Sequence, residues 1–444
     1  MIVGITIGSG IFETTPMIAA NTQGPIMLVG VWMLGGAMAL AGSLCYAELA
    51  TMYPRNGGDY VYLTKGFGHW CGFLFVWIEL LIIRPGNIGA MSLVFAHYAG
   101  RVLGIDDATI GLLSVTVWLA VVAILGLSFV NLVGAQSGKW TQNLLTFVKV
   151  IGLGAIIFVS LALLDPYEPS SPSSATTSSY RLSIILVMFT YGGWNNMSYV
   201  ASEVRHPEKN ILKSLVLGSL TITGIYVLFN LAMIQGLGFH QLSNSDAVAT
   251  DVMAQAMGEW AARGIGLLVC ISCLGAMNGM IFTGSRIYHA LGTDHPRYRW
   301  LGYWSVVRGV PVRSLLLQMI VAVALVVGFG RGHNSFSRLV VFTTPPFWSF
   351  MLLVGLTLLI LRIHQPAKSR PFRVPFYPLI PLLFIASSVF MLYASIEHAW
   401  NERSWEVLWA ILVIVVGLFM ILLDRRRSHL RCLENQEDYN ERLD

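Results

Sequence analysis

The chain alternates between long apolar runs and short polar segments. Runs of 18 or more apolar residues can cross a hydrocarbon core of about 30 Å, because a helix rises 1.5 Å per residue. The pattern predicts twelve membrane spans, at approximately 1–20, 27–50, 70–100, 109–131, 140–164, 182–201, 213–236, 260–287, 314–330, 338–362, 375–396 and 405–424. The segment 165–180 is rich in Ser, Thr and Pro and is expected to be a loop, and 425–444 is expected to be a polar tail.

Composition agrees with this membrane class. Hydrophobic residues make up 55% of the chain and charged residues 11%, whereas a soluble domain carries roughly 25% charged residues. The net charge of +5 does not indicate nucleic-acid binding, since the basic residues form no single patch. No cleavable signal peptide is expected, because the first apolar run lacks a basic leader. The five cysteines form no disulfide framework, and packing is the expected role of Cys270 and Cys273.

Lys and Arg are distributed unevenly between the two sets of loops. If both termini are cytoplasmic, twenty of the 28 lie inside and six outside, and only Arg84 and Lys149 remain within spans. Cytoplasmic loops of membrane proteins carry an excess of these residues. The chain is therefore predicted to be a multi-pass plasma (inner) membrane protein with an extracellular loop at 165–180 and a cytoplasmic tail at 425–444.

Two of the predicted spans are interrupted by glycines. The first contains Gly8–Gly10 and the sixth contains Tyr191–Asn195. Glycine weakens a helix and permits local unwinding. The breaks fall near the starts of two blocks of five spans, 1–164 and 181–363, and an odd number of spans forces the blocks into opposite orientations. This pattern predicts inverted repeats around a transporter site, with two further spans in 364–424.

Unwound helix segments leave backbone groups that need partners inside a bilayer. The N–H groups of Ser9, Gly10 and Ile11 begin the second half-helix of span one, where the helix dipole favours a carboxylate. Carbonyls that end half-helices suit an ammonium group, and they belong to Thr6, Ile7, Phe189 and Gly192. Together they fit a zwitterionic α-amino acid. The alternative is that the small residues only let helices pack closely, but two breaks at matched positions favour a binding site.

Lys149 lies inside the apolar run 140–164. A lysine at membrane depth costs about 2.5–3.5 kcal/mol on insertion scales, so a function is expected. Its long stem could instead reach an interface, although its position near the middle of the span argues against this. Its ammonium could replace a bound cation and brace breaks in spans one and eight, or it could exchange a proton during transport. Glu79 and Arg84 are expected to form a structural pair, and Glu13 is expected to face the outer vestibule.

Several segments, taken together and in order, resemble the L-type amino acid transporter family of the amino acid–polyamine–organocation superfamily. The resemblance covers roughly 1–375. The segments that carry it are Ile5–Phe12, Cys45–Leu49, Asn56–Tyr60, Trp77–Pro85, Phe189–Asn195 and Gly275–Gly279 with Ser285–Arg286.

The resemblance implies an all-α integral membrane protein of about 12 helices. Its fold would be a LeuT-like five-plus-five inverted repeat in which helices 1 and 6 are discontinuous. It implies that the amides of Ser9 and Gly10 bind the substrate carboxylate, and that the Phe189 ring gates the site. Asn195 would support the second break, and Lys149 matches the span-five lysine of sodium-independent members. The substrate amino group would be bound by the carbonyls of Thr6, Phe189 and Gly192.

The predicted function is secondary transport of neutral amino acids by alternating access, through sodium-independent exchange or facilitated uptake. Proton symport through Lys149 and an amino acid sensor are the alternatives. No enzyme activity, metal or cofactor is expected, because no nucleotide-binding, metal-binding or nucleophile motif is present. The expected partners are the substrate and the lipid bilayer, without nucleic acid. A disulfide-linked heavy chain is not expected, because the outer loop Arg101–Ala108 has no cysteine.

Overall fold

Helices form nearly all of the chain in a computed structural model, which describes residues 2–105, 109–110, 113–164, 180–245, 247–330, 335–401 and 408–422. The sixteen α-helices are α1 Ile2–Thr6, α2 Gly10–Ala20, α3 Pro25–Met52, α4 Asp59–Phe67, α5 His69–Ile78, α6 Arg84–Leu103, α7 Val115–Val133, α8 Ala135–Leu163, α9 Tyr180–Thr190, α10 Pro207–Ser243, α11 Val248–Met257, α12 Glu259–Asp294, α13 Val312–Phe329, α14 Ser335–His364, α15 Leu379–Asn401 and α16 Leu408–Leu422.

Nine stretches of the described residues are long and apolar enough to cross a membrane, and one of them joins α5 and α6. The predicted all-α membrane class is therefore confirmed. Strands occur among the described residues only as a short hairpin, in which Thr109–Ile110 pairs with Leu113–Ser114. The count of twelve spans stays a prediction, and the loop at 165–179 and the tail at 425–444 lie outside the described residues.

Both predicted helix breaks are present. The first span is divided into α1, which ends at Thr6, and α2, which begins at Gly10. The sixth is divided into α9, which ends at Thr190, and a 3₁₀ helix over Trp194–Glu203. Gly193 makes the second break possible, since its φ of +106° is a backbone conformation that side-chain-bearing residues rarely adopt. Discontinuous helices one and six are therefore confirmed.

The third predicted span differs from a regular α-helix. A π-helical turn over Glu79–Ile83 separates α5 from α6. Such a turn bonds residues five apart, and it brings Glu79 next to Arg84. The structure also contains the short helices α4 and α11, which the search for long apolar runs did not predict.

The interior is built around α12, which packs against α6, α7 and α8. Small residues allow this close approach: a methyl group added at Gly284 of α12 would lie 2.9 Å from Cγ of Arg84, which begins α6. The same holds on α3, where a methyl group at Gly36 would lie 2.5 Å from Thr223 Cγ2. The packing explanation for small residues is therefore correct for these helices.

Candidate functional site

The two helix breaks face one cavity with a volume of about 490 Å³. Gly8 and Gly10 line it from the first break, and Phe189, Gly192 and Asn195 line it from the second. Close packing does not explain Gly8, because a methyl group there would meet Met91 Sδ and Ala276 Cβ at ordinary distances of 3.5 and 3.8 Å. The break at Gly8 therefore has a reason other than helix packing.

The second half-helix of the first break begins beside the cavity, which Gly10 lines and which Ser9 and Ile11 do not. Among the described residues, no protein acceptor bonds to the N–H groups of Ser9, Gly10 and Ile11. The Ser9 side chain is buried, and its hydroxyl contacts Met91 Sδ at 3.8 Å. Unpaired N–H groups and the helix dipole together make this helix start suitable for an anion.

The four predicted acceptor carbonyls have different partners. Thr6 O already accepts from Gly8 N at 2.9 Å and from the Tyr226 hydroxyl at 3.0 Å. Phe189 O accepts from Gly192 N at 2.9 Å, which leaves it one lone pair. No described residue donates to Gly192 O. The carbonyls of Phe189 and Gly192 therefore both keep free acceptor capacity at the second break.

The fourth carbonyl, that of Ile7, faces away from the cavity. It accepts from the Ser272 hydroxyl at 3.1 Å and from Lys149 Nζ at 2.6 Å. The Ile7 carbonyl therefore binds the ammonium group of Lys149 and not that of a substrate.

Lys149 is buried, and its ammonium group is fully hydrogen-bonded. Nζ donates to Gly4 O at 2.8 Å, Ile7 O at 2.6 Å and Ser272 O at 3.0 Å. These three acceptors match the three donors of an ammonium group. The side chain therefore does not reach toward an interface. It joins the end of α1 to α12, and α12 is unbroken here, so the expectation of a break in span eight was wrong.

A second polar chain extends from the break in helix six. Asn195 Nδ2 donates to the Tyr199 hydroxyl at 2.9 Å, and that hydroxyl donates to Asp59 Oδ2 at 2.7 Å. Asp59 begins α4, outside the long apolar helices, and burial raises the pKa of its carboxyl group to about 7. Asn195 thus connects the break to an acid that titrates near neutral pH.

Arg84 lines the same cavity but is already paired. Its guanidinium contacts Glu79 Oε1 at 2.6 Å and donates to Asn196 Oδ1 at 2.7 Å. Asn196 Oδ1 also accepts from the Thr283 hydroxyl at 2.9 Å. This network fixes the second break against α6 and α12, as expected for a structural pair.

Two residues at the breaks were missed by sequence reasoning. The Tyr226 hydroxyl lies 3.0 Å from Thr6 O and 3.1 Å from Thr190 O, so it reaches both breaks and donates to one of them at a time. The Ser272 hydroxyl lies 3.1 Å from Ile7 O and 3.0 Å from Gly8 O. The one available signal was that a buried tyrosine hydroxyl needs a partner.

Phe189 stands at the side of the cavity. Its half-buried ring packs edge-to-face on Phe336 of α14, with ring centroids 6.2 Å apart and an interplanar angle of 81°. Phe347 and Trp348 of the same helix also line the cavity. The described residues contain no cluster of metal-ligating side chains.

Ion pairs close one end of the bundle, which we call the bridged end. Glu48 of α3 accepts from Arg362 Nε at 2.9 Å and from Val374 N at 2.7 Å, and lies 3.4 Å from Arg370 Nε. The other pairs at this end are Lys139–Glu203, Arg286–Glu203 and Arg55–Asp294. The cavity instead extends to Leu182 and His398, at the opposite end.

Comparison with known proteins finds transporters. A model of the amino acid permease family matches residues 1–419. The b(0,+)-type amino acid transporter 1 of Mus musculus is 30% identical over 435 residues, which cover 95% of this chain and 85% of the relative. The serine/threonine exchanger SteT of Bacillus subtilis is 27% identical, and 89% of each chain is covered. The human cystine/glutamate transporter is 29% identical, with 89% of this chain and 78% of the relative covered.

Proposed function

The chain belongs to the amino acid permease family, and we propose that it moves neutral α-amino acids across the plasma membrane by alternating access. In this mechanism a single site is exposed to one side of the membrane and then to the other. The substrate must bind the occluded form preferentially in order to drive the change. We further propose sodium-independent exchange or facilitated uptake as the mode of transport.

One observation carries this proposal: two broken helices present complementary groups to one cavity. The free N–H groups of Ser9 and Gly10 fit the substrate carboxylate. The carbonyls of Phe189 and Gly192 fit its α-amino group, with Thr6 beside them. A zwitterionic amino acid presents both charges close together, so it matches both breaks at once. Phe189 would close over the bound substrate, and Asn195 would hold the second break in shape.

Lys149 supports sodium independence. Its ammonium group already occupies a pocket of three carbonyl oxygens between α1 and α12, where a cation would otherwise be needed. Proton symport is the second candidate, since Lys149 is buried and titratable. The hydrogen bonds favour a permanent ammonium, because a neutral amine has only two donors for these three acceptors.

We propose that the bridged end is cytoplasmic. The excess of Lys and Arg predicted for the inside includes Arg55, Lys139, Arg286, Arg362 and Arg370, all of which lie at that end. The cavity would then open toward the outside. We also propose that the chain works without a disulfide-linked heavy chain, because its outer loop Arg101–Ala108 has no cysteine.

The test is counterflow of labelled amino acids in proteoliposomes that contain the purified protein. We expect uptake to need an amino acid on the opposite side, or to be stimulated by it, and to be unchanged when sodium is replaced by potassium. Lys149→Ala should abolish uptake by loosening the first break. Absence of flux for all twenty amino acids would contradict the proposal. Uptake that follows an imposed pH gradient would favour proton symport instead.

A further inference from the structure

Glu13 lines the cavity one helical turn beyond the first break. Gly10, Thr14 and Met17 of α2 also line it, and residues three or four apart lie on the same side of a helix. The Glu13 carboxylate therefore belongs to the wall that carries the free N–H group of Gly10.

The Glu13 carboxylate has no positive partner in the part of the chain that the structure describes. The backbone N–H of Glu13 donates to Ser9 O at 3.2 Å, but no hydrogen bond or ion pair joins its carboxylate to another described residue. The titratable groups that interact with it, Tyr98 of α6 and Cys273 of α12, carry no positive charge. By contrast, the fully buried Glu48 and Glu79 are both paired with arginines. A carboxylate without a partner is costly away from water, so a ligand that brings a cation would gain from it.

Two basic side chains among the described residues line the cavity, Arg84 and His398. The Arg84 guanidinium is bound to Glu79 and Asn196, and His398 lies at the end opposite the bridged end without a hydrogen bond to Glu13. Lys149 is not part of the lining. At the inner end Asp59 has one carboxyl oxygen, Oδ1, without a hydrogen bond. An ionised carboxylate at Glu13, in a mostly apolar cleft, would concentrate a field that attracts cations.

From this arrangement we infer that Glu13 binds the cationic side chain of a basic α-amino acid, while the two breaks hold its carboxylate and α-amino groups. The inference rests on the proposed function and extends its substrates from neutral to basic side chains. Glu13 would then be a specificity-determining residue. It would act on the ammonium or guanidinium group and leave uncharged side chains unaffected.

Lysine and norleucine provide the test, because they have the same straight side chain and differ in the terminal ammonium group. Each competes against one labelled neutral substrate in proteoliposomes. Wild type should bind lysine at least as well as norleucine. Glu13→Gln should raise the inhibition constant of lysine by about tenfold to a hundredfold, as expected for the loss of a charge-assisted hydrogen bond. The norleucine constant should stay within about twofold, which also shows that the variant is folded.

Two further variants sharpen the result. Glu259→Gln removes one negative charge at an exposed position at the start of α12 and should leave the lysine-to-norleucine ratio unchanged. Glu13→Asp should restore part of the preference for lysine.

Three outcomes would overturn the inference. In the first, norleucine competes in wild type but lysine does not. In the second, Glu13→Gln keeps the wild-type ratio of the lysine and norleucine inhibition constants. If the same variant also removes the response of uptake to pH, the carboxyl group is assigned to proton transfer. In the third, neither compound competes although the labelled neutral substrate is still taken up, which would overturn the inference and leave the proposed function standing; absence of uptake of every labelled amino acid would instead contradict the proposed function.

Discussion

The two ends of the helix bundle are closed by different means. At the bridged end, Glu48 is fully buried between two arginines, and Glu203 joins α8 and α12 to the 3₁₀ segment of the second break. At the opposite end the described residues contain one ion pair, Arg181–Glu397, whose side chains are 61% and 37% exposed. Exposed pairs of this kind contribute little to stability. The cavity extends to the end that has the weaker closure.

This difference identifies what has to change during transport. Access from the bridged end requires breaking the contacts of Glu48, Glu203 and Asp294, whereas access from the other end does not. The ion pairs should therefore set the balance between the state open to the bridged end and the state open to the opposite end. When the ion pairs are weakened one at a time, the loss of stability or the shift in this balance should be larger for the more deeply buried pairs.

Glu48→Gln is expected to have the largest effect. The substitution leaves Arg362 and Arg370 without their carboxylate, and breaking a buried ion pair costs about 3 kcal/mol or more. We expect a clear drop in the melting temperature of the detergent-purified protein, with loss of counterflow. An unchanged melting temperature would show that the cluster does not hold the bridged end closed.

Asp59→Asn should have the next largest effect, and it should depend on pH. An unfolded chain ionises aspartate near pH 4, whereas the folded protein keeps this proton until a pH of about 7. Stability therefore falls as pH rises between these values and then levels off, a loss of about 1.4 kcal/mol from pH 6 to 8. Melting temperatures across this range should fall more for wild type than for Asp59→Asn. Parallel curves would contradict this assignment.

Glu203→Gln should shift the balance between states with little unfolding. Lys139 and Glu203 are partly exposed, and although Arg286 is buried, the amide oxygen of the substituted side chain can still accept a hydrogen bond from it. The loss of charge is therefore expected to cost about 1 kcal/mol, which is a factor of about five in population. The reporter is Ser198→Cys, a buried position next to the second break. A membrane-impermeant maleimide added from the bridged side should label it about five times faster when Glu203→Gln is also present. Protein without the introduced cysteine gives the background, and equal rates would count against gating by Glu203.

Arg181→Gln at the opposite end should have the smallest effect. Both side chains of its ion pair are exposed, so the expected change in stability is below about 1 kcal/mol. Its melting temperature should stay close to that of wild type. A drop as large as that of Glu48→Gln would remove the difference between the two ends.

The elements that sequence predicted well depend on local features. The long spans follow from apolar run length, and the breaks follow from the glycines at 8–10 and 192–193. The π-helical turn at Glu79–Ile83 and the short helices α4 and α11 escaped prediction, because neither run length nor composition marks them.

The partners within the site were less predictable, because they come from distant parts of the chain. Lys149 was recognisable as a functional residue, but its acceptors lie 145, 142 and 123 residues away. Glu48 and Arg362 are 314 residues apart. A single sequence contains the charges but does not indicate which of them meet. For the same reason the role of Tyr226 was not predicted, because the sequence does not indicate which two carbonyls its hydroxyl contacts.

The central claim is that the broken helices form the amino acid site, and Gly10→Val tests it most directly. A methyl group at Gly10 would lie 3.1 Å from Thr190 Cγ2 and Oγ1, so a branched side chain would press on the end of α9 and displace the two breaks from each other. Gly126→Val on α7 is the matched control, since nothing lies within 4 Å of its added methyl group. The measurement is the concentration of amino acid that gives half-maximal counterflow. We predict that Gly10→Val raises it by about tenfold or more, or abolishes flux, while Gly126→Val behaves as wild type. Unchanged affinity in Gly10→Val would contradict the assignment of the site.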